Sequence, residues 1–384
     1  MIQYGKQIIE EDDIECVISV LKSQFLTQGP VVDSFEASVA TYCGAKFAVS
    51  SNSATSSLHL AMLALDISSK DLIWTSAVTF VATSNSALYC GAKVDFLDID
   101  KETFNLDIEA LSRKLEIAEA NSSLPTLLVV VHLGGTPVDM EKVNKLSKRY
   151  GFEVVEDASH AIGGSCKSEK IGSCRWSKMC IFSFHPVKII TAGEGGVITT
   201  NDFELSAKVR SLRTHGIVPN QNADVENEEL WNYSQIGLGF NYRMTEIHAA
   251  LGLSQVSKID RFVKVRNEIA HYYKQEFESL PVSVQSVPAG SYSSYHLFIL
   301  RFDVASLKKT KKAIYYEYQE QGINVNFHYI PVYRHPYYEA LGFKKGYCPE
   351  SERYFLDAVS LPLHPGLSSS DVEFVAETTK KIVG

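Results

Sequence analysis

Short apolar runs alternate with helix-like segments through the first half of the chain, and this alternation limits the possible folds more than any other feature. Strands are predicted at 46–50, 72–74, 93–96, 127–131 and 152–157, with a helical segment after each of the first four. Strand–helix–strand units at this spacing favour right-handed crossovers and a mostly parallel sheet. With 384 residues the chain can also hold a second domain, and short strands mixed with helices after about Pro281 predict a smaller α+β region.

The net charge and the cysteines indicate which binding partners and which cellular compartment are expected. A formal net charge of -8 argues against nucleic acid or an anionic membrane as a partner. The seven cysteines are scattered without a CxxC pair, so neither a zinc site nor a disulfide framework is predicted. The longest apolar runs have the length of a strand, and the first residues carry no signal sequence. We therefore expect a cytoplasmic protein that binds no metal and does not contact a membrane.

A single lysine, Lys188, lies in the stretch from Ile181 to Thr200, between an apolar run and the glycine-rich turn Gly193–Gly196. Rigid elements on both sides would hold its amine in place, which suits a lysine whose neutral form attacks a carbonyl to form a Schiff base. The alternative is a solvent-facing lysine in a β-hairpin with a glycine-rich turn. Taken alone, this stretch favours the alternative.

A second feature changes that balance, because the run 152–157 is predicted to be a buried strand that ends in Asp157. Pyridoxal phosphate needs a carboxylate beside its pyridine nitrogen, since the protonated ring is the electron sink for carbanion chemistry. The carboxyl end of a parallel strand is also where α/β sheets bind ligands. Asp157 could instead cap a helix. Lys188 and Asp157 together favour a cofactor site.

Weaker signals each leave two interpretations open. Small residues from Ser51 to Ser57 precede a predicted helix at 58–65 and either leave amides open for a phosphate or simply cap the helix. Phe80 could cover a flat ring or be a core aromatic residue. The aromatic stretch 327–333 could form a binding lip or a packed loop. The polar, acidic stretch 217–229 is predicted to be a mobile surface loop.

Seven motifs, spread along most of the chain in the same order, resemble those of the DegT/StrS-type sugar aminotransferases. They are Leu26–Pro30, Asn52–Thr55, Thr79–Thr83, Glu156–Ala161, Ser183–Lys188 with Gly193–Gly196, Asn241–Met244 and His328–Pro331. The resemblance implies the aspartate-aminotransferase fold, which is fold type I of the pyridoxal-phosphate-dependent enzymes. It implies a large cofactor-binding domain at 1–257, with a mostly parallel, mixed seven-stranded sheet, and a small α+β domain at 258–384.

The resemblance also implies roles for individual residues. Lys188 would form the Schiff base and move the proton, and Asp157 would pair with the pyridine nitrogen. The other implied cofactor contacts are Ala54, Thr55 and Ser183 at the phosphate, Phe80 over the ring, His160 near the phenolic oxygen, and Asn241 from the partner subunit of a homodimer with shared active sites. The implied substrate contacts are Tyr4, Gln28, Glu194 and His328.

Within the family, the motifs are most similar to those of the transaminases of pseudaminic acid biosynthesis, a pathway of cell-surface and flagellin glycans. This similarity implies transfer of an amino group from L-glutamate to C4 of a UDP-linked 4-keto-6-deoxy-N-acetylhexosamine. Nucleotide-sugar aminotransferases of the perosamine or bacillosamine type, or specific for C3, remain alternatives, as do a pyridoxal-phosphate-dependent sugar dehydratase and a non-catalytic cofactor-binding regulator. Dehydratase relatives carry His at the position of Lys188, so the lysine favours transamination.

Overall fold

The computed structural model describes residues 1–219 and 233–384. Its helices are α1 Glu11–Leu21, α2 Pro30–Cys43, α3 Ala54–Ala64, α4 Ala82–Tyr89, α5 Ile108–Ala120, α6 Met140–Tyr150, α7 Phe203–Leu212, α8 Glu246–Val256, α9 Ile259–Phe277, α10 Lys311–Glu320, α11 Pro336–Ala340, α12 Pro349–Asp357 and α13 Ser369–Val383. None of these helices of the described residues combines the length and apolar character needed to cross a bilayer.

The strands form one large sheet and several small ones. They are β1 Phe47–Ser51, β2 Leu72–Ser76, β3 Lys93–Leu97, β4 Leu127–Val131, β5 Glu153–Asp157, β6 Ser165–Cys166, β7 Glu169–Lys170, β8 Met179–Ser183, β9 Gly196–Thr200, β10 Ile217–Pro219, β11 Tyr233–Gln235, β12 Val282–Val284, β13 Ser291–Tyr292, β14 Phe298–Phe302 and β15 Ala358–Leu361. Residues 217–219, predicted as loop, pair with β11 instead. Residues 220–229 of that predicted loop lie outside the described residues.

The large sheet has the strand order β1-β9-β8-β5-β4-β2-β3. Strands β3, β2, β4, β5 and β8 pair in parallel, while β9 runs antiparallel to both β8 and β1. All five residues of β4 are buried and apolar, as expected for a strand covered on both faces. The predicted α/β class and mixed seven-stranded sheet are therefore confirmed.

A second unit is built on the three-stranded antiparallel sheet β12-β14-β15. Its own core joins side chains of α9, β14, α10 and α13, among them Tyr273, Phe298, Tyr318 and Val375. The start of the chain also pairs with this unit, because Ile2 N–H donates to the carbonyl of Gly322 over 2.8 Å. A domain boundary at residue 257 stays a prediction.

A close approach between the two units fixes one wall of the cleft that separates them. Ser294 Oγ donates a hydrogen bond to the carbonyl oxygen of His160 over 2.8 Å. Gly135 lies at the same point with a φ of 90°. A Cβ on Gly135 would lie 2.3 Å from Ser294 Oγ and 2.8 Å from the His160 carbonyl oxygen. Both the left-handed conformation and the contact therefore require glycine at this position.

Candidate active site

A cleft of about 880 Å³ opens at the carboxyl ends of three neighbouring strands of the large sheet. Val131, Asp157 and Ser183, the last residues of β4, β5 and β8, all line it. Ligands of open α/β sheets bind at this edge, where the strands end and the loops begin. The opposite wall is formed by the second unit. It includes residues of the loop after α10, such as His328.

Asp157 is almost buried in the floor of the cleft, and its carboxylate is held by hydroxyl and amide donors. Thr83 Oγ donates to Oδ2 over 2.7 Å, and Ser159 donates to Oδ1 through its hydroxyl at 2.6 Å and its N–H at 3.2 Å. The residues after Asp157 form a turn that leads to β6, and no helix begins there. The helix-cap alternative is therefore not supported, and the carboxylate faces the cleft without a cationic hydrogen-bond partner in the described chain.

Lys188 follows β8 in the segment that leads to β9, and it lines the cleft rather than an outer surface. Burial lowers the pKa of its amine to about 8, while the charge of Asp157 acts in the opposite direction. The residue is partly accessible from the cleft, so the enclosing walls rather than complete burial remove water from the amine. A lowered pKa makes the neutral, nucleophilic form available close to neutral pH.

Helix α3 begins at Ala54, four residues earlier than predicted, because Ser53 caps it by accepting the N–H of Ser56 over 3.1 Å. Ala54 and Thr55 line the cleft with amides that have no partner within the helix, which is the arrangement that binds phosphate. A Cβ on Gly196 would lie 2.5 Å from the carbonyl oxygen of Ser53. This glycine therefore lets β9 approach the start of the helix.

Phe80 is 55% exposed although it lies in the wall of the cleft. Its ring centroid lies 6.0 Å from that of Tyr329. A core aromatic residue would be enclosed by other side chains, so the core interpretation of Phe80 is not supported. An exposed aromatic face inside a cleft is suited to stacking on a flat ligand ring.

His160 is held by two contacts that define its hydrogen-bonding state. The N–H of Gly134 donates to Nδ1 over 3.3 Å, and Nε2 lies 3.2 Å from the hydroxyl of Tyr329. Burial, together with the nearby Lys188 and His328, lowers the pKa of His160 well below its usual value. In a neutral ring that accepts at Nδ1, the proton lies on Nε2. His160 therefore presents an N–H donor on the side of Tyr329.

His328, Tyr4 and Glu194 also line the cleft, as the resemblance implied. His328 Nδ1 lies 2.8 Å from Ser360 Oγ, and its ring centroid is 5.5 Å from that of Tyr4. Burial, with a contribution from Lys188, lowers the pKa of His328 to about 3. The imidazole is therefore uncharged at neutral pH.

Gln28 and Asn241 lie outside this cleft in the described subunit. Gln28 lines a separate depression with Arg213 and Arg243, and Asn241 is an exposed residue. The segments that carry them are joined, because the carboxylate of Glu246 accepts the backbone N–H groups of three residues at 2.8–3.1 Å. Those residues are Gly29, Val31 and Val32. The two predicted site residues therefore occupy one surface of the subunit, apart from Lys188 and Asp157.

Several further side chains line the cleft, or form a hydrogen bond to a residue that does, although they were not predicted as site residues. They are Thr83, His185, His248, His296, Asn326 and Tyr329. Thr83 and Tyr329 lie inside motifs that signalled the family, so a polar residue in such a motif was the available signal. His296 precedes β14, which begins at Phe298, and nothing in the local sequence pattern marks it as a site residue.

Comparison with known proteins identifies the family. The sequence model of the DegT/DnrJ/EryC1/StrS aminotransferase family matches residues 7–380. The chain belongs to this family. It is 37% identical over 385 residues to the UDP-4-amino-4,6-dideoxy-N-acetyl-beta-L-altrosamine transaminase of Campylobacter jejuni, with 100% of this chain and 98% of the relative covered.

Solved structures of other aminotransferases have the same fold. Helicobacter pylori PseC, an aminotransferase involved in the biosynthesis of pseudoaminic acid, superposes with a TM-score of 0.91 and 30% identity over 100% of this chain and 99% of that one. A putative sugar aminotransferase of Streptococcus pneumoniae in its PLP form gives 0.89 and 26% identity, over 99% and 98% of the two chains.

Pyridoxal phosphate is the cofactor of this family, and the residues of the cleft fit it. Asp157 offers a carboxylate for the pyridine nitrogen, Lys188 an amine, Phe80 a ring face, and the start of α3 with Ser183 a set of donors for the phosphate. When bound, the cofactor supplies the electron sink for carbanion chemistry. The protein is thus a pyridoxal-phosphate-dependent aminotransferase.

Proposed function

We propose that this aminotransferase transfers the amino group of L-glutamate to C4 of a UDP-linked 4-keto-6-deoxy-N-acetylhexosamine. The reaction would be that of a UDP-4-amino-4,6-dideoxy-N-acetyl-β-L-altrosamine transaminase. The observation that carries the proposal is the similarity to the Campylobacter jejuni transaminase, which extends over the whole chain. The cleft of about 880 Å³ is within the usual range for small-molecule sites, which reach roughly 1,000 Å³.

In this proposal the chain's own residues divide the work. Asp157, fixed by Thr83 and Ser159, keeps the ring nitrogen of the cofactor protonated. Lys188, with its pKa lowered by burial, takes up and returns the proton at its amine nitrogen. Phe80 holds one face of the cofactor ring. His160, whose Nε2 lies 3.2 Å from the Tyr329 hydroxyl, would lie near the phenolic oxygen of the cofactor.

Recognition of the sugar nucleotide is assigned to the second unit and to the first residues of the chain. His328 and Tyr4 lie side by side in the outer wall of the cleft, and Glu194 is exposed at its edge. Their imidazole, phenol and carboxylate groups offer hydrogen bonds to sugar hydroxyls and to the amide of an N-acetyl group. The chemistry therefore suits a polar, hydroxyl-rich substrate.

A homodimer with shared active sites is part of the proposal. Apolar side chains of α1 and the following loop are between 41% and 56% exposed in the single subunit, which is unusual for so many neighbouring large residues. They are Ile14, Ile18, Leu21, Phe25 and Leu26. Asn241 and Gln28 lie in or beside segments that contact this region, since Thr27 and Thr245 form a β-bridge. A partner covering this surface would receive Asn241 at its own cofactor phosphate.

The cytoplasm is the proposed location of the enzyme. All seven cysteines are free thiols, and five of them are buried. Burial raises the pKa of Cys43 to about 12, so this thiol stays protonated. Free thiols of this kind persist in reducing compartments.

Product analysis tests the reaction directly. The purified protein would be incubated with L-glutamate and with isomers of UDP-4-keto-6-deoxy-N-acetylhexosamine, and the products separated and identified by mass spectrometry and NMR. We expect an amino group at C4 of one isomer, one equivalent of 2-oxoglutarate, and no product with the Lys188→Ala variant. Amination of a 3-keto isomer but of no 4-keto isomer, or release of ammonia without an amino sugar, would overturn the proposal in favour of a C3-specific enzyme or a dehydratase.

A further inference from the structure

The cleft offers a carboxylate ligand no guanidinium from its own subunit. No arginine among residues 1–219 and 233–384 lines it, and the sequence of residues 220–232 contains neither arginine nor lysine. Lys188 is the one lysine among the lining residues of the described chain, and its amine is used by the reaction. The carboxylate groups of an amino donor therefore depend on neutral hydrogen-bond donors or on the other subunit.

His296 is a neutral donor at the right place. Its ring centroid lies 4.4 Å from that of His160, and the residue lines the cleft although it is only 5% exposed. Burial, followed by the influence of His160, Lys188, Arg266 and His328, lowers the pKa of His296 well below its usual value. The imidazole therefore carries no charge at neutral pH.

The lack of a hydrogen-bond partner at one ring nitrogen of His296 indicates which nitrogen carries the proton. Nδ1 is buried and has no hydrogen-bond partner in the described protein. A buried N–H without an acceptor is rarer and more costly than an acceptor atom left unpaired, so the proton belongs on Nε2. Since the ring lines the cleft and Nδ1 is enclosed, Nε2–H is the group that can meet a ligand.

The backbone beneath this side chain is fixed from both units. The buried guanidinium of Arg266 donates from one nitrogen to the carbonyl oxygens of Tyr295 and His296, each at 3.3 Å, and of Leu363 at 2.6 Å. Ser294, two residues before His296, donates a hydrogen bond from its hydroxyl to the carbonyl oxygen of His160. The donor is thus held in place before any ligand arrives, which lowers the entropy lost on binding.

We propose that Nε2–H of His296 binds a carboxylate oxygen of the amino donor, in place of an arginine. The inference rests on the proposed function, because it assumes that an amino acid and a keto sugar use the same cleft in turn. A buried guanidinium left unpaired when the uncharged ketone replaces the carboxylate costs more free energy than an unpaired neutral imidazole N–H. A neutral donor therefore serves both half-reactions.

Glutarate, which has both carboxylates of glutamate but no amine, is the probe that tests this inference. Its dissociation constant would be measured by titration calorimetry on the cofactor-loaded enzyme, with UDP as the control ligand. His296→Phe keeps a flat ring but removes the N–H, and His296→Gln keeps an N–H at similar reach. We expect the Phe variant to weaken glutarate at least about tenfold, the Gln variant to stay within about threefold, and UDP binding to be unchanged in both.

Three outcomes would overturn the inference. Glutarate affinity could be unchanged in His296→Phe, or glutarate and UDP could weaken equally, which would mean a structural role. Arg243→Gln could weaken glutarate while His296→Phe does not, which would assign the carboxylate to a guanidinium of the neighbouring subunit. If His296→Phe does not fold, His296→Leu takes its place. Failure to form an amino sugar would refute the proposed function, but the glutarate comparison would still report on His296.

Discussion

Thr83 donates its hydroxyl hydrogen to Oδ2 of Asp157 over 2.7 Å, so the start of α4 and the end of β5 are joined at the floor of the cleft. Thr83 lies in the helix that follows β2, whereas Asp157 ends β5. The hydrogen bond therefore joins two segments that are far apart in the sequence. It fixes the carboxylate that we propose as the partner of the cofactor's pyridine nitrogen. Thr83 would then be a positioning residue, since it would act on the reaction through Asp157.

The first prediction concerns this pair. Thr83→Val removes a hydrogen bond to a charged group at nearly constant volume, and we expect turnover to fall by about ten- to a hundredfold. Asp157→Asn should lower turnover by several orders of magnitude, because the ring nitrogen loses its anionic partner. If Asp157 served only to hold the local turn, its replacement would cost roughly 1 kcal/mol of stability and leave turnover intact. Rate assays and thermal melting of the same variants separate the two results.

The second prediction concerns the amine of Lys188. Its pKa of about 8 means that the protein freed of cofactor should capture pyridoxal phosphate faster as the pH rises, with half of the increase reached near pH 8. An ordinary lysine would give a midpoint near 10.4. Stopped-flow absorbance between pH 6 and pH 10 measures the rate. After borohydride reduction and tryptic digestion, we expect the label on Lys188, and a label on any other lysine would contradict the assignment.

The third prediction concerns stability in acid, because His160, His296 and His328 all have lowered pKa values in the folded state. Between the folded value and roughly 6.5, the unfolded chain binds more protons, so the free energy of unfolding falls as the pH falls through this window. For His328, with a folded pKa of about 3, this contribution is roughly 2–3 kcal/mol at pH 4.5. Removing the titrating ring should therefore make the protein less sensitive to acid.

Urea unfolding of the cofactor-free protein at pH 7 and pH 4.5 measures this effect. His328→Gln should lose less stability between the two pH values than the wild type does. His271→Gln, at an exposed position of α9, is the matched control and should change with pH as the wild type does. Equal losses in His328→Gln and wild type would show that His328 is not held uncharged.

The fourth prediction concerns the proposed shared sites. Lys188→Ala and Asn241→Ala subunits, each inactive alone, should regain activity when mixed and allowed to exchange partners. If Asn241 acts in the neighbouring site, each heterodimer has one intact site, and a random mixture should reach about a quarter of wild-type activity. If Asn241 acts within its own subunit, every site carries one defect, and the mixture would show only the sum of the parent activities.

Site residues that directly follow a recognisable strand could be predicted from the sequence. Lys188 and Asp157 follow strands that are recognisable from their apolar runs, and the structure places both in one cleft. The start of α3 was predicted too late because Ser53 and the small residues after it suit a loop, a cap and a first helical turn equally well.

Residues brought to the cleft by long-range contacts leave no such local pattern, although Tyr329 lies inside a motif that signalled the family. His296 comes to the cleft because Arg266, on α9, holds its backbone, and Tyr329 because His160 meets its hydroxyl. Neither contact leaves a periodic pattern in the sequence. Likewise, the exposure of Phe80 follows from the shape of the cleft and not from its neighbours along the chain.

The division of the cleft between two separately packed units has a consequence for how such enzymes diversify. The side chains suited to the cofactor come from the large sheet and its loops, whereas His296, His328 and Tyr329 come from the unit with its own core. Among these, His328 contacts Ser360 and Tyr4, so substitutions at this position leave the side chains suited to the cofactor in place. Libraries that vary residues 326–328 in an otherwise fixed sequence should therefore alter the proposed sugar preference while the side chains suited to the cofactor are kept.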